Sequence, residues 1–223
     1  MLLSLFQDFP NDGGPIYAET VAGRFPVEPY NTYSNFLFLF IIIYFSWRVY
    51  KNYRQHLFLA YSLPVLFIGW IGGTIYHATR SADVWLYLDW LPIVILCFAV
   101  SVYFIFKIAH QWWQNVLILV GVLLIVIGGR LLPWAPSLRI SIGYVLTAIG
   151  LLLPLLVYTY KTQFRNIQLV LYAVLSFAVA VAFRTLDSEI EFLSVGTHWL
   201  WHTFGAIAVF FLMRYIYFDK IKA

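Results

Sequence analysis

Seven long apolar runs constrain the fold of this chain more than any other feature of its sequence. They lie approximately at 34–50, 57–77, 84–106, 112–128, 140–160, 167–184 and 195–217. Each is close to the roughly 17–25 residues that a helix needs to cross the hydrocarbon layer of a bilayer. Only 11% of the residues are charged, against about 25% in soluble domains. The sequence therefore predicts an all-α, polytopic membrane protein with seven transmembrane helices.

Little sequence remains outside this domain. We expect an N-terminal segment at 1–33, the membrane domain at 34–217 and a tail at 218–223. The segment is polar and acidic, so we predict no cleavable signal peptide. The single Cys97 excludes an intramolecular disulfide and a thiolate metal cluster. We attribute the net charge of +4 to membrane orientation and not to nucleic-acid binding. The oligomeric state stays open.

Lysine and arginine residues are distributed unevenly between the two ends of the predicted helices. Nine of the fourteen fall on the side of the C-terminus and five on the other side. Basic residues favour the cytoplasmic side, so this bias predicts a cytoplasmic C-terminus and an extracytoplasmic N-terminus. The end of the second span and the start of the seventh then share the outer side.

Three of the five histidines fall at that outer level. His77 ends the second span, whereas His198 and His202 begin the seventh. Histidines four positions apart lie on one helix face, with about 5–6 Å between their β-carbons. This pair alone is equally typical of interfacial histidines in an aromatic belt. His56 and His110 lie in linkers on the opposite side, where hydrated histidines are ordinary.

Asp89 adds a carboxylate near the outer end of the third span. An acid within an apolar span is costly unless it is paired or functional. Three neutral imidazoles with an open position for water are typical of catalytic zinc. The pattern predicts a zinc site on the outer side, with Asp89 beside it.

Four motifs then suggest a family. The sequence reads EPYNTYSN at 28–35, GGTIYH at 72–77, LDWLP at 88–92 and GTHWLWH at 196–202. In order, spacing and helix position these resemble the alkaline ceramidases and their bacterial ceramidase-domain relatives. That family belongs to a superfamily of seven-helix transmembrane hydrolases that includes the adiponectin receptors. The resemblance implies that His77, His198 and His202 bind zinc and that Asp89 acts on the metal-bound water.

Two departures from the family pattern concern the neighbourhood of the metal. The family usually has a serine four residues before the second-span histidine, where this chain has Gly73. The adjacent Thr74 is a candidate for the missing hydroxyl, and Tyr76 is a further candidate for contact with the substrate or the ligands. The acid that follows the family aspartate is also missing, because Trp90 follows Asp89.

The resemblance also implies a possible calcium site in the N-terminal segment. Its candidates are Glu19, Glu28 and Asn31, with Asp12 as a weaker one. Oxygen ligands suit calcium, although a short acidic segment is also an ordinary hydrated tail.

Asp187, Glu189 and Glu191 precede the seventh helix, where acids favour a helix N-terminus. Alternatively, Asp187 orients a zinc-bound histidine.

The expected function is that of a zinc-dependent amidase which cleaves the N-acyl bond of ceramide or a related membrane lipid. Location alone favours a lipid substrate, since a site at bilayer depth is reached sideways from the membrane. Ceramide is implied only by the resemblance. One rival is a zinc-stabilised receptor or scaffold without turnover. Another is an ion transporter, which is disfavoured because Asp89 is the only acid well within a span.

Overall fold

A computed structural model describes residues 10–135, 139–187 and 194–219, and the described part of the chain is helical. The bounds of its helices are α1 Pro29–Ser34, α2 Phe36–Val49, a 3₁₀ helix Tyr50–Gln55, α3 Leu57–Thr79, α4 Asp83–Ile108, α5 Trp112–Leu131, α6 Arg139–Lys161, α7 Ile167–Thr185 and α8 His198–Phe218.

Seven of the helical segments are long and apolar enough to cross a membrane, which confirms the predicted fold class. The first extends over Pro29–Gln55, because α1, α2 and the 3₁₀ helix follow one another almost without a break. It therefore begins five residues before the predicted start at 34. Proline is favoured in the first turn of a helix, and Pro29 occupies that position. The weakest predicted span, 167–184, is present as α7.

The chain forms two compact units. The first comprises the described residues of Met1–Ile93 and Tyr172–Ala223. In it α2 packs against both α3 and α8, around buried side chains such as Phe45 and Leu63. Large apolar side chains on the other side of α2, including Phe40 and Ile43, are exposed. Such a surface suits contact with lipid, which is the solvent expected for these helices.

The start of α4 lies very close to α3 within this unit. A β-carbon at Gly72 would overlap the backbone of Leu88, and one at Gly69 would press on Pro92. Only glycine at position 72 permits this approach, because it has no side chain. The contact places Asp89 beside the last two turns of α3, where His77 lies.

The second unit, Val94–Leu171, contains α5 packed against α6. The Ser101 hydroxyl donates to the Gly150 carbonyl at 3.0 Å, and Arg130 donates to the Gly143 carbonyl at 2.9 Å. These bonds satisfy polar side chains inside apolar segments, as a hydrocarbon environment requires. The candidate site lies entirely within the first unit.

Candidate metal centre

The three histidines predicted from the sequence come together in the structure. His77 lies in the last turns of α3, while His198 and His202 occupy the first two turns of α8. Their ligand atoms all lie within 4.8 Å of one another, and the three residues are 0%, 3% and 5% exposed respectively. Within the described residues this is the group whose geometry could hold a metal ion.

Neighbouring acceptors fix two of the imidazoles in one orientation. His77 Nδ1 lies 2.5 Å from Glu28 Oε2, and His202 Nδ1 lies 3.1 Å from the carbonyl oxygen of Asn31. The Ser34 hydroxyl is a further 3.0 Å neighbour of His202 Nδ1. An imidazole that donates its Nδ1–H to such an acceptor keeps its Nε2 lone pair for a metal.

Two nitrogens of the cluster are buried without a hydrogen-bond partner, namely His77 Nε2 and His198 Nδ1. Buried polar atoms are nearly always satisfied, so orphaned ring nitrogens in a tight group need an explanation. A metal ion supplies one, because neutral imidazole nitrogens are good ligands for zinc and similar ions. The residues present therefore fit a metal.

His198 is held from two sides. The ring of Tyr17 stacks on the imidazole with their centroids 3.8 Å apart. Asp187 Oδ1 accepts the backbone N–H groups of Thr197 and His198, each at 2.7 Å. Asp187 therefore caps the N-terminus of α8, as the helix-terminus interpretation predicted, and acts on His198 through its backbone and not its ring. Glu189 and Glu191 lie outside the described residues.

Asp89 lies beside the cluster and is the most accessible of its charged groups. Its Oδ2 is 4.0 Å from His77 Nε2, and its side chain is 24% exposed. A β-carbon at Gly73 would overlap Asp89 Oδ1 and lie 3.3 Å from the Asn35 amide nitrogen. The Asp89 carboxylate therefore fills the space that a side chain at position 73 would need.

The acids proposed for calcium have protein partners. Glu28 Oε1 accepts hydrogen bonds from Arg80 Nη1 and the Thr20 hydroxyl, both at 2.6 Å, in addition to the contact of Oε2 with His77. Asp12 binds the same guanidinium with both oxygens, at 2.8 and 2.9 Å. Arg80, fully buried, is therefore the cation that these two acids share.

Electrostatics keeps Glu28 ionised in this setting. Burial alone would favour the neutral acid, but the hydrogen bonds from His77 and the Thr20 hydroxyl and the charge of Arg80 hold the pKa of Glu28 below its usual range. The carboxylate is thus available as a permanent acceptor for the Nδ1–H of His77.

Glu19 and Asn31 complete the calcium candidates. Glu19 accepts the backbone N–H groups of Tyr30 and Asn31 at 2.9 and 2.6 Å, at the start of α1. Burial raises the pKa of Glu19, and these two hydrogen bonds partly offset that effect. Asn31 Oδ1 is buried without a partner. A calcium site at Glu19, Glu28 and Asn31 stays a prediction. In this structure Glu19 accepts hydrogen bonds from backbone N–H groups, and Glu28 contacts His77 and Arg80.

Thr74 and Tyr76, the other candidate side chains of α3, precede His77 by three residues and one residue. The Thr74 hydroxyl is buried without a partner, although Thr79 and Ser62 of the same helix donate to carbonyls four residues earlier. The Tyr76 hydroxyl is likewise unpartnered, and its ring lies edge-on to His77 with centroids 4.8 Å apart. Both stay candidates for contact with substrate or ligands.

Sequence reasoning missed Arg80, Tyr17 and Ser34. Arg80 was counted only for membrane orientation, although its position three residues after His77 at the end of α3 was visible in the sequence. Ser34 stands within one of the four motifs, which was the available signal. Tyr17 gave none, because its contact with His198 spans most of the chain. His56, set aside from the start, stacks on Tyr217 with centroids 4.3 Å apart, and it does not belong to the histidine cluster.

Comparison of the sequence with protein-family models and with curated proteins produced no match.

Proposed function

We propose that this chain is an integral-membrane, zinc-dependent amidase that hydrolyses the N-acyl bond of ceramide or a related N-acyl lipid. The observation that carries the proposal is the convergence of three buried imidazoles with the partly exposed Asp89 carboxylate, 4.0 Å from His77 Nε2. The four motifs that resemble the alkaline ceramidases support the same assignment.

Zinc is the metal that the donor set favours, because three histidines with a free position are typical of its catalytic sites. His77, His198 and His202 would hold it, and Glu28 and Asn31 would orient two of the rings through their Nδ1 atoms. When bound, zinc supplies Lewis acidity that activates water and polarises a carbonyl.

Asp89 is assigned the proton transfers. Its carboxylate accepts a proton from water as the water oxygen adds to the amide carbonyl carbon. The protonated Asp89 then gives that proton to the amide nitrogen as the carbon–nitrogen bond breaks. The products are a fatty acid and a long-chain amine, and Asp89 returns to its ionised form.

The exposed residues beside the site support a lipid substrate. The three histidines are buried, whereas Asp89 is 24% exposed on a helix long and apolar enough to cross a membrane. The neighbouring Trp90 and Leu91 are exposed as well. A molecule dissolved in the bilayer meets this side of α4 directly.

The first test is product analysis with a metal measurement on the same preparations. Purified protein is incubated with ceramides and other N-acyl lipids, and fatty acid and amine are quantified by mass spectrometry. Asp89→Asn should remain folded and metal-loaded but lose about 10²–10⁴ in rate, the usual contribution of a general base. Asp83→Asn is the matched control, since Asp83 is in the first turn of the same helix and, among the described residues, accepts the Gly13 N–H and lies in no contact with the histidines.

The outcomes separate enzyme from scaffold. Asp89→Asn that retains the parent rate would remove the proposed base. A metal-loaded parent that cleaves none of the lipids would favour the zinc-stabilised receptor or scaffold, and loss of metal on Asp89→Asn would make the carboxylate a ligand.

A further inference from the structure

Two arginines, Arg48 and Arg214, lie near the C-terminal ends of α2 and α8. These ends are remote from the histidines. The two helices run side by side in the same direction. Near their starts Ser34 meets His202 at 3.0 Å, and further along the rings of Tyr44 and Phe210 are 5.6 Å apart. This line of contacts between α2 and α8, called the seam below, continues to Phe45 and Tyr217, whose ring centroids are 6.4 Å apart.

Arg48 and Arg214 occupy matching positions on this seam. Arg48 follows Tyr44 by four residues, and Arg214 follows Phe210 by four residues. Residues four apart share a helix face, and Tyr44 and Phe210 are in contact. This spacing puts the two arginines at about the same level of two adjacent, parallel helices.

Neither arginine has a hydrogen-bond acceptor or a carboxylate partner among the described residues. The Nε atom of each is buried without a partner, and the described ion pairs involve other residues. Their contacts are with ring faces instead. Arg48 lies 4.6 Å from the ring centroid of Tyr44, and Arg214 lies 5.6 Å from that of Phe218. A ring face attracts the charge but leaves the directional N–H donors of the guanidinium unsatisfied.

The surroundings indicate the ligand. Lys51 and Arg54 add positive charge at this end of the two helices. Trp47, Tyr50 and Tyr53 are exposed there, and such aromatic side chains are typical of the membrane–water interface. The missing partner is thus an anion with several acceptor oxygens at headgroup depth.

We propose that Arg48 and Arg214 together bind the phosphate group of an anionic membrane lipid. The planar guanidinium matches phosphate oxygens in pairs, and basic pockets between transmembrane helices suit such headgroups. A zwitterionic lipid carries its own ammonium group, which the two arginines repel, so the site distinguishes the two lipid classes. The proposal does not depend on the amidase assignment, because the two sites lie at opposite ends of α8.

The test measures retention of lipid by the full chain in detergent. Phosphatidylglycerol or phosphatidylcholine is added, and bound lipid is counted by native mass spectrometry. The parent should prefer phosphatidylglycerol, and Arg48→Gln with Arg214→Gln should lower its affinity by on the order of tenfold. Arg54→Gln is the matched control, since it removes an exposed arginine at the same end, and it should change the affinity by less than about twofold.

Three results would overturn the site. These are equal retention of phosphatidylglycerol by parent and double variant, an equal loss on Arg54→Gln, or displacement of the lipid by millimolar inorganic phosphate, which would assign the arginines to a free anion. If the double variant fails to fold, each single glutamine variant should still lose part of the affinity. Arg48→Lys with Arg214→Lys keeps the charge and should retain more of the preference than the glutamine pair does.

Discussion

Glu28 connects the buried histidines to a buried arginine. One carboxylate oxygen lies against His77 Nδ1 and the other against Arg80 Nη1, with all three side chains fully buried. A carboxylate behind a metal-bound imidazole fixes the ring orientation and raises its basicity as a ligand. In this chain the acid is ionised because Arg80, His77 and Thr20 outweigh its burial.

Glu28→Gln should therefore weaken zinc binding by about 10–100-fold, the usual effect of losing such a partner. Competition with a chelator of known affinity measures it. Glu19→Gln is the control, because Glu19 bonds to backbone N–H groups and to none of the imidazoles. If Glu28→Gln kept the parent affinity for zinc, the contact with His77 would have no part in holding the metal.

Gly73 governs the placement of Asp89. A methyl group at this position would overlap Asp89 Oδ1, so the carboxylate would have to leave the place it has in this structure. Gly73→Ala should then keep its zinc but lose about 10²-fold in lipid hydrolysis, since small misplacements of a reacting group are costly. Gly205→Ala, on α8 with open space around its β-carbon, should retain parent activity. A fully active Gly73→Ala would show that the position of Asp89 in this structure does not limit the reaction.

At the scale of elements, the stretch between residue 10 and α1 acts as a cover for the histidine cluster. Tyr17 stacks on His198, the Asn11 N–H donates to the Arg80 carbonyl at 3.1 Å, and Asp12 binds the Arg80 side chain. The sequence left two alternatives open for this segment, a calcium site or an ordinary hydrated tail. This packing could not be predicted from the sequence. Its contacts join residues separated by about 70 positions or more, and local periodicity does not indicate which distant residues meet.

Arg80→Met should destabilise the fold by about 3–5 kcal/mol, because it leaves Asp12 and Glu28 buried without their cation. Unfolding in denaturant, followed by circular dichroism, gives the free energy. Arg24→Met is the comparison, since within the described residues the exposed Arg24 side chain bonds to the carbonyls of Glu19 and Val27 and to no carboxylate. It should cost about 1 kcal/mol or less. Equal losses for both variants would mean that the buried pairs contribute no more than surface contacts.

At the scale of the whole molecule, sequence reasoning succeeded where the signal was local. Apolar runs near the length of a membrane span located six of the seven candidate helices to within three residues and the first, Pro29–Gln55, to within five. The pair His198 and His202 followed from helix spacing, and topology placed His77 at the same level. The hydrogen bonds that orient these rings were not predictable, because they depend on which neighbour faces each nitrogen. The use of Glu28 for His77, where calcium was proposed, is an example of that limit.

The last prediction concerns the direction of insertion. Nine basic residues on the C-terminal side against five on the other should retain the C-terminus in the cytoplasm, with the histidine cluster facing outward. In sealed vesicles of known sidedness, an external protease should remove a tag from the N-terminus and spare one at the C-terminus. Replacing Arg48, Lys51 and Arg54 with glutamine removes three of the nine and should produce mixed insertion. Cleavage of the C-terminal tag from outside intact cells would reverse the assignment, and the histidine site would then open to the cytoplasm.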